Sequence, residues 1–376
     1  MSMTVCLAAS TIEYPEGGGH LWVYLNWALG LQALGCRVVW LEGIDPEMPA
    51  HEVQALTHSL KSRLESYGFA EHVALCSGSG EPLPRAMTEN CLDVEAAADA
   101  HLLLNLAYSI PSQVVERFQR SALIDIDPGL LQLWMSEGLV NPARHDMYFT
   151  IGETVGKPGA RFPDCGLQWH YTPPAVFLPA WPTAPVDYRA PFTTVSGWWE
   201  DWIEYRGEIV NNAKRTTFRE YSNLPSHTSA QLELALTLAE DDDEERWFLE
   251  QRGWKVRHAW DVASTPEQYR YYIQQSRGEF SCAKPSCMLL QNAWISDRTL
   301  CYLASGKPAV VQHTGPSSFL PEAEGLFRFR SLEEAARALN TVESDYERQS
   351  GLARQLAEEY FDARKVVGSV LERVMA

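Results

Sequence analysis

Several stretches of the sequence set reactive side chains beside glycine or at the start of a helix. The first is Gly17-Gly18-Gly19-His20, which follows a short apolar run at residues 4–8. A glycine turn between a first strand and a helix brings backbone N–H groups and one side chain to the mouth of a sheet-edge crevice. The turn lacks the G-x-G-x-x-G spacing of a dinucleotide site, and Glu42 is the only acidic residue well placed at the end of the second strand. His20 reads either as a polar residue at a helix start or as an imidazole facing that crevice, where its near-neutral pKa suits proton transfer. The second stretch is Ser296-Asp297-Arg298, followed by residues 299–305 and the tight return Gly306-Lys307-Pro308. Ser296 or Asp297 caps a helix whose free N–H groups form an anion site fit for a pyrophosphate. Arg298 adds forked donors that suit a phosphate. The plain alternative is a generic helix–turn–strand with Arg298 in a surface ion pair.

Three further groups are chemically open. Asp125-Ile126-Asp127-Pro128-Gly129 ends a strand at 122–124, and Asp127 can simply open a β-turn before Pro128-Gly129. Glu279 and Lys284 flank a strand at 278–281, where Lys284 either neutralises phosphate or is solvated. Trp198, Trp199, Trp202 and Tyr205 read as an interdomain contact or as a ring-stacking wall for a ligand. Asn211-Asn212 and Lys214-Arg215 continue that loop with no assigned place.

The elements that must hold these residues alternate between strand and helix. Residues 4–8, the helical run 21–34 with Gly35 as its C-cap, and the β-branched run 37–41 make a βαβ start, which predicts a parallel sheet covered by helices. Prolines 163, 173, 174, 179, 182, 185 and 191 then interrupt the pattern at a density that no helix or strand interior tolerates. After them the alternation restarts, with strands at 192–195, 232–238, 254–256, 278–281, 308–312 and 326–329. Residues 345–374 read as amphipathic helix throughout. The expected division is a first Rossmann-like domain over 1–171, a linker over 172–191, a second Rossmann-like domain over 192–355, and a C-terminal helix over 356–376 packing back toward the first. The acidic run 241–245 reads as a solvated helix N-terminus favoured by the dipole.

Composition bounds the function. A chain of 376 residues is a natural size for two domains. The net charge of −18, with no basic run, argues against nucleic acid and anionic membrane as partners. No apolar run spans a bilayer and the N-terminus lacks a basic leader, so a cytoplasmic protein is expected. The eight cysteines show neither CxxC nor a ligand quartet, which argues against zinc and a disulfide framework. No Gly-x-Ser-x-Gly elbow, Walker lysine loop or His-Glu-x-x-His helix occurs.

The spacing Gly19-His20…Gly35-Cys36-Arg37-Val38-Val39 and the stretch Ala293-Trp294-Ile295-Ser296 through Ala304-Ser305-Gly306-Lys307-Pro308 resemble the GT-B glycosyltransferases that act on small molecules. The resemblance implies an α/β fold of two Rossmann-like domains facing a cleft, and transfer of a sugar from a nucleotide diphosphate to an acceptor hydroxyl. It makes His20 the general base of an inverting reaction, with Gly18, Gly19 and Trp198 on the acceptor side. A carboxylate normally orients such a base, and Asp127 stands at the family's distance for it. Ser296, Asp297 and Arg298 become donor-binding residues, as do Ser196 and Gly197 after the first strand of the second domain. Lys284 and His313-Thr314-Gly315 after the strand at 308–312 join them. The family generally neutralises its leaving group with helix dipole and protein cations, which implies no metal and no cofactor beyond the nucleotide-sugar co-substrate. Cys301 stands where a ribose-binding Glu is common, and Ala293 replaces the first Glu of the E-x7-E pair. A nucleotide-sugar epimerase and a catalytically silent binding protein on the same fold are the alternatives.

Overall fold

The computed structural model describes residues 3–185, 187–239 and 242–376; Met1 and Ser2, Val186 of the proline-rich segment and Asp241 of the acidic run lie outside the described residues. The chain forms two compact units. One comprises Met1–Gly156, Phe162–Phe177 and Ala363–Ala376, and the other Lys157–Arg161 and Leu178–Asp362.

The first unit holds seven strands: β1 (Thr4–Ala9), β2 (Arg37–Ile44), β3 (Val73–Ser77), β4 (Leu102–Asn105), β5 (Ser121–Asp125), β6 (Met147–Thr150) and β7 (Trp169–Tyr171). They lie in the order β3-β2-β1-β4-β5-β6-β7, and every pairing is parallel. The apolar residues are almost continuous along β1, β3, β4 and β5 because helices cover both faces of such a sheet. The order reverses between β1 and β4, and ligands of doubly wound sheets bind outside the carboxyl ends at such a switch point. The helix Gly18–Ala33 follows β1 and is buried along most of its length. It accepts a glycine in its interior because a Cβ on Gly30 would sit 3.0 Å from the Cβ of Ala363 on the C-terminal helix. That helix, Ala363–Met375, is held in this unit by Ala363 N donating to Val176 O at 2.9 Å and Arg120 Nη1 donating to Val374 O at 2.6 Å.

The second unit holds β8 (Phe192–Gly197), β9 (Trp202–Tyr205), β10 (Glu208–Asn211), β11 (Leu232–Thr237), β12 (Lys255–His258), β13 (Gly278–Ser281), β14 (Ala309–Gln312) and β15 (Leu326–Phe329). Six form a parallel sheet in the order β12-β11-β8-β13-β14-β15, with its switch point between β8 and β13. Its core gathers Phe192, Trp198, Phe218, Trp254, Phe280 and Phe329.

Two features differ from the sequence reading. β9 and β10 form an antiparallel hairpin between β8 and the helix Lys214–Glu220. Arg206 and Gly207, both with positive φ, close it as a two-residue turn. An arginine in the left-handed region is a poor hairpin signal, which explains why the sequence hid it. The tail is not one helix either: Tyr346–Leu356 ends in a π turn at Ala357–Phe361, and Asp362 turns extended before Ala363. The bond from Ala363 N to Val176 O takes the place of an intrahelical one there. Among the described residues no helix is long and apolar enough to cross a membrane.

Candidate active site

In the first unit, the loop after β1 is built around Glu42, a fully buried carboxylate at the end of β2. It accepts Thr11 N at 2.9 Å, Ile12 N at 3.3 Å, Trp40 Nε1 at 2.8 Å and the Thr11 hydroxyl. Burial pushes its carboxyl above the ordinary value even against these bonds. The cluster fixes the loop, and the loop presents the Ser10 carbonyl to His20, whose Nε2 lies 2.6 Å away. A carbonyl only accepts, so Nε2 carries the proton and the lone pair of the neutral ring sits on Nδ1. The His20 ring is flanked by Tyr14 at 4.8 Å and the buried Tyr24 at 5.3 Å between centroids. Gly18 and Gly19 form the first turn of the helix that carries it.

Asp127 lies in the loop after β5, close enough to Tyr24 for its charge to raise that phenol. Its Oδ2 accepts Tyr108 Oη at 3.3 Å, and its backbone N–H is shared by Tyr108 Oη at 3.0 Å and Asp125 Oδ1 at 3.0 Å. The Ser10 carbonyl is thus the hydrogen-bond partner of His20 Nε2, and Asp127 bonds Tyr108 in the loop after β5. Asp125 is fully buried and accepts Gln132 Nε2 at 2.9 Å and Thr150 Oγ1 at 2.8 Å. Burial lifts its carboxyl to about 7.

In the second unit the residues expected to bind a donor lie at or after the carboxyl ends of β8, β13 and β14 and at the start of the helix Asp297–Ala304. Ser296 caps the helix Asp297–Ala304, its hydroxyl accepting Arg298 N at 3.3 Å. Arg298 turns largely inward: Nε bonds Glu279 Oε1 at 2.9 Å and Nη1 bonds Val195 O at 2.9 Å. Burial pulls its pKa down, but the Glu279 carboxylate outweighs that and holds the guanidinium charged. Arg298 also lines a small cavity with Ser281, Ala283, Trp294, Ser296 and Thr314. The surface ion pair of the plain reading is thus replaced by a buried one. Ser196 is buried at the end of β8 with its hydroxyl on Gly197 O at 2.7 Å, and Gly197 is exposed. Lys284 pairs with Glu200 at 2.6 Å. Thr314 Oγ1 donates to Trp294 O at 2.6 Å, which fastens the loop after β14 to the donor segment. Gly315 is required there, because at φ +141° a Cβ would fall 2.5 Å from Gln291 O. His313 Nδ1 accepts Gly315 N at 3.2 Å.

The structure adds Lys214, which the sequence left without a place. The hairpin delivers it: Asn211 Oδ1 accepts Ala213 N at 2.9 Å, and the buried Asn212 Oδ1 accepts Ser286 N at 3.0 Å. This brings Lys214 beside Arg298 and Lys284, and burial followed by those two cations pulls its ammonium down to about 7. Lys214 has no hydrogen bond or ion pair among the described residues. Three cations with one unpaired charge, at a helix N-terminus, form a cradle for a multiply charged anion. Trp198 lies elsewhere. It is fully buried in the core against Phe218, with Nε1 on Glu245 at 3.2 Å, so no ligand reaches its ring. The exposed rings of that cluster are Trp199 and Trp202.

Two parallel Rossmann-like sheets in one chain are the layout of the GT-B fold. No protein-family model matches the chain, and no curated protein matches it by sequence. Among solved structures it is similar over its whole length to an alpha-glucosyltransferase in complex with UDP-glucose and DNA containing an abasic site (TM-score 0.58, 10% identity, all of both chains covered). Sucrose-phosphate synthase from Thermosynechococcus elongatus (TM-score 0.56, 10% identity, 99% of both chains) is similar as well. So is Anabaena HepE in complex with UDP and glucose (TM-score 0.56, 12% identity, 99% of both chains). At these identities the likeness establishes the fold, and the fold is GT-B. It also corrects one expectation. The alpha-glucosyltransferase of this fold is in complex with DNA in several structures, so the exclusion of nucleic acid as a partner does not stand. The reason is physical: the summed charge of a chain averages over its surface, whereas binding responds to the local field.

Proposed function

We propose that the protein is a glycosyltransferase that takes a sugar from a UDP-sugar and passes it to an acceptor hydroxyl with inversion. The observation that carries this reading is the convergence of Lys214, Lys284 and Arg298 at the start of the helix Asp297–Ala304, with Lys214 unpaired among the described residues. A diphosphate leaving group gains charge as the glycosidic bond breaks, and preorganised cations and a helix N-terminus stabilise that charge where it develops. In the first unit, His20 Nδ1 takes the proton of the attacking hydroxyl, while Nε2–H stays on Ser10 O and keeps the ring in one tautomer.

Lys214→Ala is expected to weaken UDP binding by about 1.5–3 kcal/mol, the scale of a hydrogen bond to a charged group. Calorimetric titration with UDP checks it, and unchanged affinity in the folded variant rejects the cradle. A pH dependence follows from the same residue. With its ammonium titrating at about 7, Lys214 is charged below that pH and attracts the diphosphate. It becomes neutral above it, so affinity for a UDP-sugar, whose diphosphate does not ionise further in this range, falls as pH rises from 6 to 8. Lys214→Arg, charged throughout, should flatten that profile. Transfer itself is tested by UDP release and product analysis with small hydroxylated molecules and duplex DNA as separate acceptor arms.

A further inference from the structure

The second sheet carries another group of cations at the carboxyl ends of its last two strands. β14 and β15 are parallel neighbours with Val311 beside Arg328 and Gln312 beside Phe329, and His313 N continues the ladder to Phe329 O at 2.9 Å. Arg328 lies in β15, and Arg330 and His313 are the first residues after β15 and β14. Burial, then the Arg330 and Arg328 guanidiniums, hold the His313 imidazole below its ordinary value, which places both charges within reach of the ring.

These cations are incompletely neutralised. Arg328 Nη2 donates to Leu320 O at 3.3 Å and Pro321 O at 3.4 Å and pairs with Glu322 at 3.1 Å. Its side chain is only 6% exposed, yet its buried Nε has no hydrogen-bond partner among the described residues. The Arg330 guanidinium is exposed and has no hydrogen bond or ion pair among the described residues. The cluster adjoins the cradle, because Thr314, the residue after His313, bonds Trp294 O and accepts Ala293 N at 3.1 Å, just before the capping Ser296. A UDP-sugar extends beyond its diphosphate as uridine on one side and the glycosyl group on the other, and a cationic patch suits the glycosyl end because only that end can carry a carboxylate.

We propose that Arg330, with Arg328 and His313, receives a carboxylate carried by the donor sugar, so that a uronic-acid donor of the UDP-glucuronate type is preferred over a neutral one. Guanidinium and carboxylate match as fork and planar acceptor. The inference rests on the cradle being a UDP site.

The test is calorimetric titration of the full chain with UDP, UDP-glucose and UDP-glucuronate. The wild type is expected to bind UDP-glucuronate about tenfold more tightly than UDP-glucose, the scale of one charge-assisted pair at a partly exposed site. Arg330→Gln is expected to bring that ratio close to one while circular dichroism shows the fold unchanged. UDP binding with equal affinity for the two sugars in the wild type overturns this inference and leaves the UDP site standing. A ratio that survives in Arg330→Gln overturns it as well. Absence of binding by all three probes overturns the inference together with the reading beneath it.

Discussion

His20→Ala is expected to lower glycosyl transfer by about 10²–10⁴-fold, the range a positioned general base contributes. The geometry makes the role specific to one atom. Nε2–H is held by the Ser10 carbonyl at 2.6 Å, so Nδ1 is the basic nitrogen, and Tyr14 and Tyr24 flank the ring. Single-turnover kinetics with UDP-sugar and acceptor measure the loss. UDP affinity should hold, because the cradle is made of second-unit residues. Glu42→Gln probes the support beneath the base: it retains the shape but weakens the acceptor for Thr11 N, Ile12 N and Trp40 Nε1, so a smaller drop in turnover is expected. Turnover in His20→Ala above a tenth of wild type, or a product that keeps the donor's anomeric configuration, rejects His20 as the base of an inverting transfer.

The second large effect is on stability. Arg298→Ala is expected to destabilise the second unit by about 3–5 kcal/mol, because it strands a buried carboxylate. Glu279 is completely buried, Arg298 is its ion-pair partner at 2.9 Å, and Glu279 Oε2 has no hydrogen-bond partner among the described residues. Urea unfolding reads the loss. The double variant Glu279→Leu/Arg298→Met should recover most of it, since an apolar pair of similar volume removes the stranded charge. If Arg298→Ala unfolds at the wild-type midpoint, the buried pair is not the support described here. Arg298 thus ties β8 and β13 to the helix Asp297–Ala304, whereas Lys214 has no ion pair among the described residues.

What the sequence revealed and what it hid divide along the range of the interactions. The capping Ser296 and the strand–helix alternation are local signals, and each is where the residue types place it, whereas Gly18 and Gly19, read as part of a turn, already belong to the helix. The supports of the site are not local. Glu42 reaches back 31 residues to Thr11, Ser10 O meets His20 only because that loop is pinned, and Arg298 spans 103 residues to Val195 O. Lys214 was invisible for the same reason: it is an ordinary basic residue until the hairpin and Asn212 bring it beside Lys284. Trp198 illustrates the converse. A tryptophan-rich stretch after a strand looks like a ligand wall, but β8 runs straight into the core and takes its first indole with it. The only cue was that Trp198 follows Gly197 directly, with no room for the chain to turn outward first.

The most direct measurement is the crystal structure of the protein grown with UDP. The diphosphate is expected at the start of the helix Asp297–Ala304, with a phosphate oxygen about 2.7–2.9 Å from Lys214 Nζ, the length of a charge-assisted hydrogen bond. A UDP bound elsewhere, or one bound in the second unit with Lys214 Nζ still unpaired, would contradict it.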